Sequence, residues 1–263
     1  MKTLPAAVML GSLRLGAGAA VLLGICAGML FVPCGEARAQ AQLDLEGGYV
    51  FSVSNDVQIP GTTGTRFSLT DELGSDNTLF MRGRLSYTFG ERHVVSILVA
   101  QLNIPASGRV GKPIVFEGVT FPALAWLKAD YRFDSYRLTY RYTVRRSERF
   151  TAGVGVTGKI RDAAITLESV DLVSRKENTG FVPLINFEVR WRFARDIWVL
   201  FEGDALAAPQ GRAEDVLLAV QYFPSEKFGF KGGWRFLEGG ADNEEVYSFA
   251  FLSYAVLGFY ANF

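Results

Sequence analysis

Three carboxylates in the last third of the chain have the spacing of a site for a cation or a polar ligand. Glu202 and Asp204 are two residues apart, so an extended strand places both side chains on one face, and Asp215 follows a short link. Such hard oxygen donors suit Ca²⁺. The competing interpretation is that arginines neutralise them, because buried charges are usually paired. We favour the ion pairs and predict neither a metal nor a cofactor.

The residue types that enzymes most often use as base and nucleophile are not arranged for catalysis. The single histidine is His93, and Ser96 lies three residues further along. In a strand these two side chains point to opposite faces, so they do not form a nucleophile–base pair locally. The glycine string around Gly155 mimics a phosphate-binding loop, but it lacks the Lys-Ser/Thr ending and the helix that such a loop needs. The sequence therefore predicts that the protein is not an enzyme.

The composition excludes two broad classes of protein. The chain has 263 residues, with 27 Lys and Arg against 27 Asp and Glu, and this balance lacks the basic excess of a nucleic-acid-binding protein. Disorder is excluded because 49% of the residues are hydrophobic and 13% are aromatic. The composition leaves open whether those apolar residues face a core or a lipid.

The first 39 residues have the layout of a secretory signal peptide. Lys2 and Arg14 precede an apolar run at 15–32, and a small-residue site follows at Ala37 to Ala39. We expect cleavage after Ala39. The alternative is an uncleaved anchor, because the apolar run is nearly long enough to span a bilayer. Both cysteines lie in this leader, so the mature chain has none.

From residue 43 onward, apolar and polar residues alternate with the period of two that is typical of strands. The pattern is clearest at 136–144, where apolar or aromatic side chains at the even positions alternate with Arg137, Thr139, Arg141 and Thr143. Ten segments follow this pattern, at about 43–54, 78–89, 93–104, 128–144, 149–167, 180–193, 197–206, 213–223, 227–237 and 246–263. The third, seventh and eighth alternate less well, so eight strands plus an extracellular hairpin is the alternative.

Short and long connections alternate along the chain. Tight turns at 90–92, 145–148, 194–196 and 224–226 separate longer links at 55–77, 105–127, 168–178, 206–213 and 238–245. This order is typical of an antiparallel up-and-down barrel with short turns at one end and larger loops at the other. The link 105–127 also predicts a small hairpin, because the triplets at 114–116 and 119–121, each with apolar residues at both ends, flank Glu117 and Gly118.

The two faces of these strands favour a membrane barrel over a soluble β-sandwich. One row combines aliphatic residues with Gly and with aromatics near the strand ends, whereas the other carries arginines, acids, Gly, Ser and Thr. This is the pattern of a lipid-facing band around a polar lumen. The chain ends at Phe263, with Leu257 and Phe259 at the same parity. Together with the leader and the alternation, this ending resembles the bacterial outer-membrane β-barrel proteins of eight to ten strands.

The resemblance implies a location and partners but no activity. It implies one transmembrane barrel domain at 40–263 in the bacterial outer membrane, in contact with lipid and lipopolysaccharide and not with nucleic acid. It also implies that the barrel-assembly machinery reads the terminal Phe263. The enzymes known on small barrels of this kind place a His near the outer rim or beside a Ser, whereas His93 lies at a short turn.

Ten cations are predicted to face the lumen: Arg82, Arg84, Arg137, Arg141, Lys159, Arg161, Arg190, Arg192, Lys231 and Arg235. The acids predicted on the same side are Asp44, Glu46, Glu188, Glu202, Asp204 and Asp215. A ten-stranded lumen is narrow, so paired charges can fill it. Alternatively, the cations in excess form a conduit or a site for small anions.

The leading functional hypothesis is an integral outer-membrane barrel without catalysis, either structural or a narrow cation-lined passage for small anionic solutes. The alternative is an adhesin or ligand-binding barrel that uses the loops 55–77 and 105–127. These loops carry apolar residues for such contacts: Ile59, Phe67, Ile114, Phe116, Phe121 and Trp126. A lipid-modifying enzyme is the third hypothesis, and it requires a site of carboxylates and hydroxyls without His.

Overall fold

A computed structural model describes residues 40–208 and 211–263. The predicted leader at 1–39 lies outside these described residues. Within the two described ranges the chain forms strands, turns and loops and no helix. Accordingly, this part of the chain contains no helix long and apolar enough to cross a membrane.

The described strands form a closed antiparallel barrel with a small loop sheet. They are β1 (Gln40–Gln58), β2 (Phe67–Ser68), β3 (Thr78–Phe89), β4 (His93–Gln101), β5 (Asn103–Arg109), β6 (Ile114–Phe116), β7 (Val119–Phe121), β8 (Trp126–Arg146), β9 (Phe150–Glu168), β10 (Val173–Arg192), β11 (Ile197–Ala208), β12 (Gly211–Tyr222), β13 (Phe228–Asp242) and β14 (Tyr247–Asn262).

Ten strands surround the lumen, in the order β1, β3, β4 with β5, and then β8 to β14. β4 and β5 count as one interrupted strand, because both pair with β8. The barrel closes where β14 pairs with β1 from Gln42↔Asn262 to Gln58↔Tyr247. The predicted ten-stranded barrel is confirmed, and the alternative of eight strands is wrong.

The two ends of the barrel differ in their connections. Four short links, between β3 and β4, β8 and β9, β10 and β11, and β12 and β13, lie at one end, which we call the turn end. At the opposite end, the loop end, β8 to β10 are much longer than a membrane crossing requires. Their lengths are 21, 19 and 20 residues, about twice the 9–11 that a tilted strand needs to span a membrane.

This extension corrects three of the predicted links. The segments 168–178, 206–213 and 238–245 are mostly strand. β9 and β10 pair up to Glu168↔Val173, β11 and β12 up to Ala208↔Gly211, and β13 and β14 up to Asp242↔Tyr247. Beyond the membrane both faces of a strand can meet water, so the apolar–polar alternation fades although the backbone ladder continues. The run Arg175–Asn178 in β10 is an example of such a polar stretch.

The outer face of the barrel is apolar. Leu79, Met81, Leu138, Val156 and Leu257, on four different strands, are 59% to 78% exposed. Soluble monomers rarely expose apolar patches larger than a few hundred Å². A band of this kind around a closed barrel is the surface that contacts lipid tails.

The loops next to β2, β6 and β7 form a small hydrophobic cluster, which we call the loop core. The predicted hairpin is present as β6 and β7, and Glu117 and Gly118 turn it with φ angles of 47° and 78°. Ring packing between Phe67 and Phe116 (centroids 6.3 Å apart) joins it to the first loop. The buried side chains of the loop core, each at most 1% exposed, include Ile59, Phe67, Ile114, Phe116 and Phe121.

The loop core changes the expected role of the apolar loop residues. Of the six residues predicted to contact a partner, five are buried in the loop core, and Trp126 is 49% exposed. These side chains stabilise the loops, because burying a large apolar side chain contributes about 1.5–3 kcal/mol. They are not a contact surface for an adhesin.

Candidate functional site

The strand register brings like charges side by side in the lumen. Glu188 lies opposite Glu202 between β10 and β11, and Asp204 lies opposite Asp215 between β11 and β12. Arg137 on β8 lies opposite Lys159 on β9. Like charges directly opposite each other are destabilising in a sheet. Their counter-charges must therefore come from across the lumen, and most of them do.

Arg235 lies at the centre of these contacts and is only 1% exposed. Its Nη1 donates to Asp215 Oδ1 at 2.6 Å, and its Nη2 donates to both carboxylate oxygens of Glu46 at 2.8 and 2.9 Å. Lys231 Nζ donates to Glu46 at 2.6 Å and to Asp44 at 2.7 Å. Gly258 provides the space for Lys231, because a Cβ there would lie 2.6 Å from Lys231 Cε.

Arg137 and Arg84 join further strands across the lumen. Arg137 donates to Asp204 at 2.7 Å and to Asp215 at 2.6 Å, and so bridges the two facing aspartates. Arg84 makes a two-pronged contact with Glu202, at 2.7 and 3.0 Å. Such charge-assisted pairs with an Arg fork are the stronger protein hydrogen bonds.

We name the whole set the central ion network. It contains the six acids Asp44, Glu46, Glu188, Glu202, Asp204 and Asp215, and the six cations Arg82, Arg84, Arg137, Arg141, Lys231 and Arg235. The Arg141–Glu188 pair (2.7 Å) joins the rest through Asn186, which accepts from Arg141 at 3.4 Å and donates to Asp204 at 2.8 Å.

The other four predicted lumen cations form no salt bridge with a carboxylate among the residues of the described ranges. Lys159 is only 4% exposed and lies 4.8 Å from the ring centroid of Phe133. Arg161 donates to the side chain of Asn178. At the turn end, Arg190 donates to Gln221 at 3.1 Å, and the exposed Arg192 lies over the ring of Trp198. The excess cations thus lie on both sides of the network.

The structure brings two of the three carboxylates of the possible ion site together. Asp204 and Asp215 are neighbours and share Arg137, whereas Glu202 binds Arg84. Arginines thus occupy the positions that a cation would need. No group of three or more His, Cys, Asp or Glu within the described ranges could hold a metal ion.

His93 and Ser96 are separated by the wall of the barrel. His93 lies at the turn end, where its Nδ1 is 2.8 Å from Tyr140 Oη and its ring stacks on Phe89. Ser96 is buried on the lumen side and accepts a hydrogen bond from the Ser86 hydroxyl at 3.1 Å. The two side chains therefore lie on opposite faces of β4, as the spacing predicts.

Two cavities lie on either side of the central ion network. The turn-end cavity has a volume of about 160 Å³ and is lined by Asp44, Arg84, Arg141, Glu188 and Arg190, among others. The loop-end cavity has a volume of about 360 Å³, with Arg137, Lys159, Asp204 and Asp215 on its lining. Of the residues that the structure describes, none lines both cavities.

The apolar wall of the loop-end cavity was not among the residues predicted from the sequence. It includes Tyr131, Phe133, Ile165, Leu206, Leu237 and Ala250. The signal exists in the inward rows, which change from charged to apolar toward the loop end. On β8 the row runs from Arg137 to Phe133 and Tyr131, and on β13 from Arg235 to Leu237.

Comparison with known proteins shows a likeness in fold. No protein-family model and no curated protein matches the chain. Among solved structures, the outer membrane protease OmpT from Escherichia coli is similar over 85% of this chain and 97% of its own, with 8% identity and a TM-score of 0.53. The attachment invasion locus protein Ail of Yersinia pestis is similar over 85% of this chain and 99% of its own, with 12% identity and a TM-score of 0.40.

At these identities the likeness concerns architecture and not activity. The similarity to OmpT covers most of this chain and nearly the whole of OmpT. The apolar outer band and polar lumen are those of a transmembrane barrel. The chain therefore has the fold of the bacterial outer-membrane β-barrel proteins.

Proposed function

We propose that this protein is an integral, non-catalytic barrel of the bacterial outer membrane, with its turn end toward the periplasm and its lumen closed at mid-height. The observation that carries the proposal is the central ion network. Six cations and six acids meet inside a ring of ten strands, and most of them are buried. Charges paired on this scale occupy the cross-section of a small lumen.

The absence of catalysis is supported by how these polar groups are used. A general base or nucleophile needs a free lone pair near a substrate. Asp204 accepts from Arg137, Thr157 and Asn186, and Asp215 accepts from Arg82, Arg137 and Arg235. His93 is bonded to Tyr140 on the outer face. These groups serve structure rather than chemistry.

A narrow passage for small anionic solutes is the second candidate, and one observation favours it. Three cations that pair with no carboxylate in the described part of the chain lie above the network, at Lys159 and Arg161, and below it, at Arg190. Cationic rings select anions in pores. This function requires the network to open, because each of its acids binds cations from other strands.

Planar-bilayer recording distinguishes the two functions. The purified barrel, whose outer-membrane location is checked by fractionation and by heat-modifiable gel migration, is expected to be silent at several salt concentrations. Arg235→Ala removes the central side chain and should produce conductance, whereas Arg192→Ala at the turn end should not. Anion-selective steps from the wild-type barrel would overturn the closed lumen and support the passage.

A further inference from the structure

We propose that the loop-end cavity binds a medium-chain aliphatic carboxylate, with the charged group at Lys159 and the chain against the apolar wall. The inference deepens the proposed function and rests on it, because a lumen closed at mid-height leaves a cavity with a floor in the outer half of the barrel. Ligand pockets in proteins are typically apolar with a few converging polar groups. The loop-end cavity has this composition.

The wall is apolar on nearly every strand that reaches it. Phe133 on β8, Leu206 on β11, Leu237 on β13 and Ala250 on β14 line the cavity. Ile59, from the first loop, also lines it. An aliphatic chain placed here is removed from water, and each buried methylene contributes about 0.8 kcal/mol.

Lys159 supplies the anion-binding group. It is 4% exposed and forms no ion pair with any carboxylate that the structure describes, although it lines the cavity. Burying an ammonium without a counter-charge is unfavourable. A ligand carboxylate at this position supplies the missing partner, and the ring of Phe133, 4.8 Å from Nζ, does not replace it.

Arg161 provides a second donor on the same face. It lies two residues from Lys159 on β9, and both line the cavity. One of its guanidinium nitrogens bonds Asn178, but its Nε is buried and has no hydrogen-bond partner in the described ranges. An anion near Lys159 lies within the reach of both side chains on this strand face.

The acids around the cavity do not cancel these two cations. Asp204 and Asp215 each bind Arg137, and Asp215 also binds Arg82 and Arg235. Near the loop end, Glu238 pairs with Arg212. Glu214 and Glu245, the other two acids of the lining, lie close to the ends of β12 and β13 and not beside Lys159 on β9.

The volume of the loop-end cavity limits the length of the ligand's aliphatic chain. A cavity of about 360 Å³ holds about twelve groups of the size of a water or methylene, at about 30 Å³ each. Octanoate has about ten heavy atoms, fewer than these twelve groups, and therefore fits. A long-chain fatty acid has more heavy atoms than the cavity holds and would extend past the loops.

Calorimetry on the mature barrel in phosphatidylcholine nanodiscs tests the site, with the heat of empty nanodiscs subtracted. The probes are octanoate, octanol and octyltrimethylammonium. The variants are Lys159→Met and Arg161→Gln, and Lys128→Met is the matched control, because Lys128 is exposed on the same half of the barrel. Folding of each variant is checked by heat-modifiable migration.

Wild-type protein is expected to bind octanoate more tightly than octanol and not to bind the cation. Loss of a charge-assisted contact should weaken octanoate binding about 10- to 100-fold in Lys159→Met, less in Arg161→Gln, and not at all in Lys128→Met. The proposal is overturned if Lys159→Met binds octanoate like wild type. It is equally overturned if wild type binds octanol as tightly as octanoate, a comparison that needs no variant.

Failure of this site and failure of the closed lumen are distinguishable on the same preparation. Silent bilayers without octanoate binding would remove the site alone. Conductance with Lys159-dependent octanoate binding would remove the closed lumen and retain the site.

Discussion

The pair Arg84 and Glu202 allows the strength of the central ion network to be measured. Arg84 crosses the lumen from β3 and makes two contacts with Glu202 on β11, at 2.7 and 3.0 Å. If Arg84 is replaced by Met, the nearest remaining cation of Glu202 is Arg235 at 3.7 Å. The register also keeps Glu202 opposite Glu188, a like charge. Arg84→Met therefore leaves a poorly compensated carboxylate.

The cost of this change follows from the burial of the pair. Breaking a buried ion pair by removing one partner costs about 3–5 kcal/mol. The side chain of Glu202 is 4% exposed, but that of Arg84 is 19% exposed, so we expect the lower end, about 3 kcal/mol. Adding Glu202→Leu should return most of this loss, because replacing both partners by apolar groups is close to neutral.

Urea unfolding of the barrel in lipid vesicles, followed by tryptophan fluorescence, provides the four free energies of this double-mutant cycle. The expected coupling energy is about 2–3 kcal/mol. Arg192→Met serves as the control, because the Arg192 side chain is exposed and lies over the ring of Trp198 without a salt bridge in the described ranges. This change should alter stability by less than about 0.5 kcal/mol. Strictly additive losses in the double variant would refute the argument that the network compensates its buried charges.

Three further changes test other parts of the molecule. Gly258→Val places a Cβ 2.6 Å from Lys231 Cε and should destabilise the barrel by about 1–3 kcal/mol. The loss is measured as a lower temperature of the heat-modifiable gel shift. Gly111→Ala is the control and should have no such effect, because its added Cβ meets no atom of the described residues within 4 Å. Phe116→Ala removes a fully buried ring from the loop core and should expose the loops to protease while the barrel stays resistant. Phe263→Ser should lower the yield in the outer-membrane fraction without preventing refolding in detergent, and equal yields would contradict recognition of the terminal aromatic.

The barrel could be predicted because one physical constraint acts along its whole length. Every membrane-spanning strand must present apolar side chains to lipid and polar ones to the lumen, so the period of two survives even where β4 and β11 alternate less well. The constraint ends at the membrane surface. For that reason the polar residues 175–178 were predicted to form a loop, whereas the structure has a strand there. For the same reason the apolar residues of the loop core were predicted to form a contact surface.

The lumen residues could be predicted individually, but their partners could not. Parity identified Asp204, Asp215 and Arg137 as inward-facing, and all three are. Which acid meets which cation depends on the stagger between strands that are distant in sequence, such as β3 and β11, and one sequence does not contain it. The change from charged to apolar inward residues along β8 and β13 was readable, and it identifies the loop-end cavity.

Replacing Lys159 distinguishes a binding role from a structural one, because the two roles predict opposite effects of the replacement on the free energy of unfolding. A cation that held the barrel together would cost stability when removed, as we expect for Arg84. Lys159 has no carboxylate partner within the described residues and is 4% exposed, and burying a polar group to this degree without a counter-charge costs about 1–3 kcal/mol. Its contact with Phe133 returns only about 0.5–2 kcal/mol.

Lys159→Met should therefore raise the free energy of unfolding by about 1 kcal/mol while it weakens octanoate binding. Urea unfolding with and without octanoate measures both effects, since a ligand stabilises only the protein that binds it. If Lys159→Met is less stable than wild type without ligand, Lys159 belongs to the scaffold. If it is more stable and no longer responds to octanoate, the ammonium is retained at a cost in stability, as expected of a group kept for its ligand.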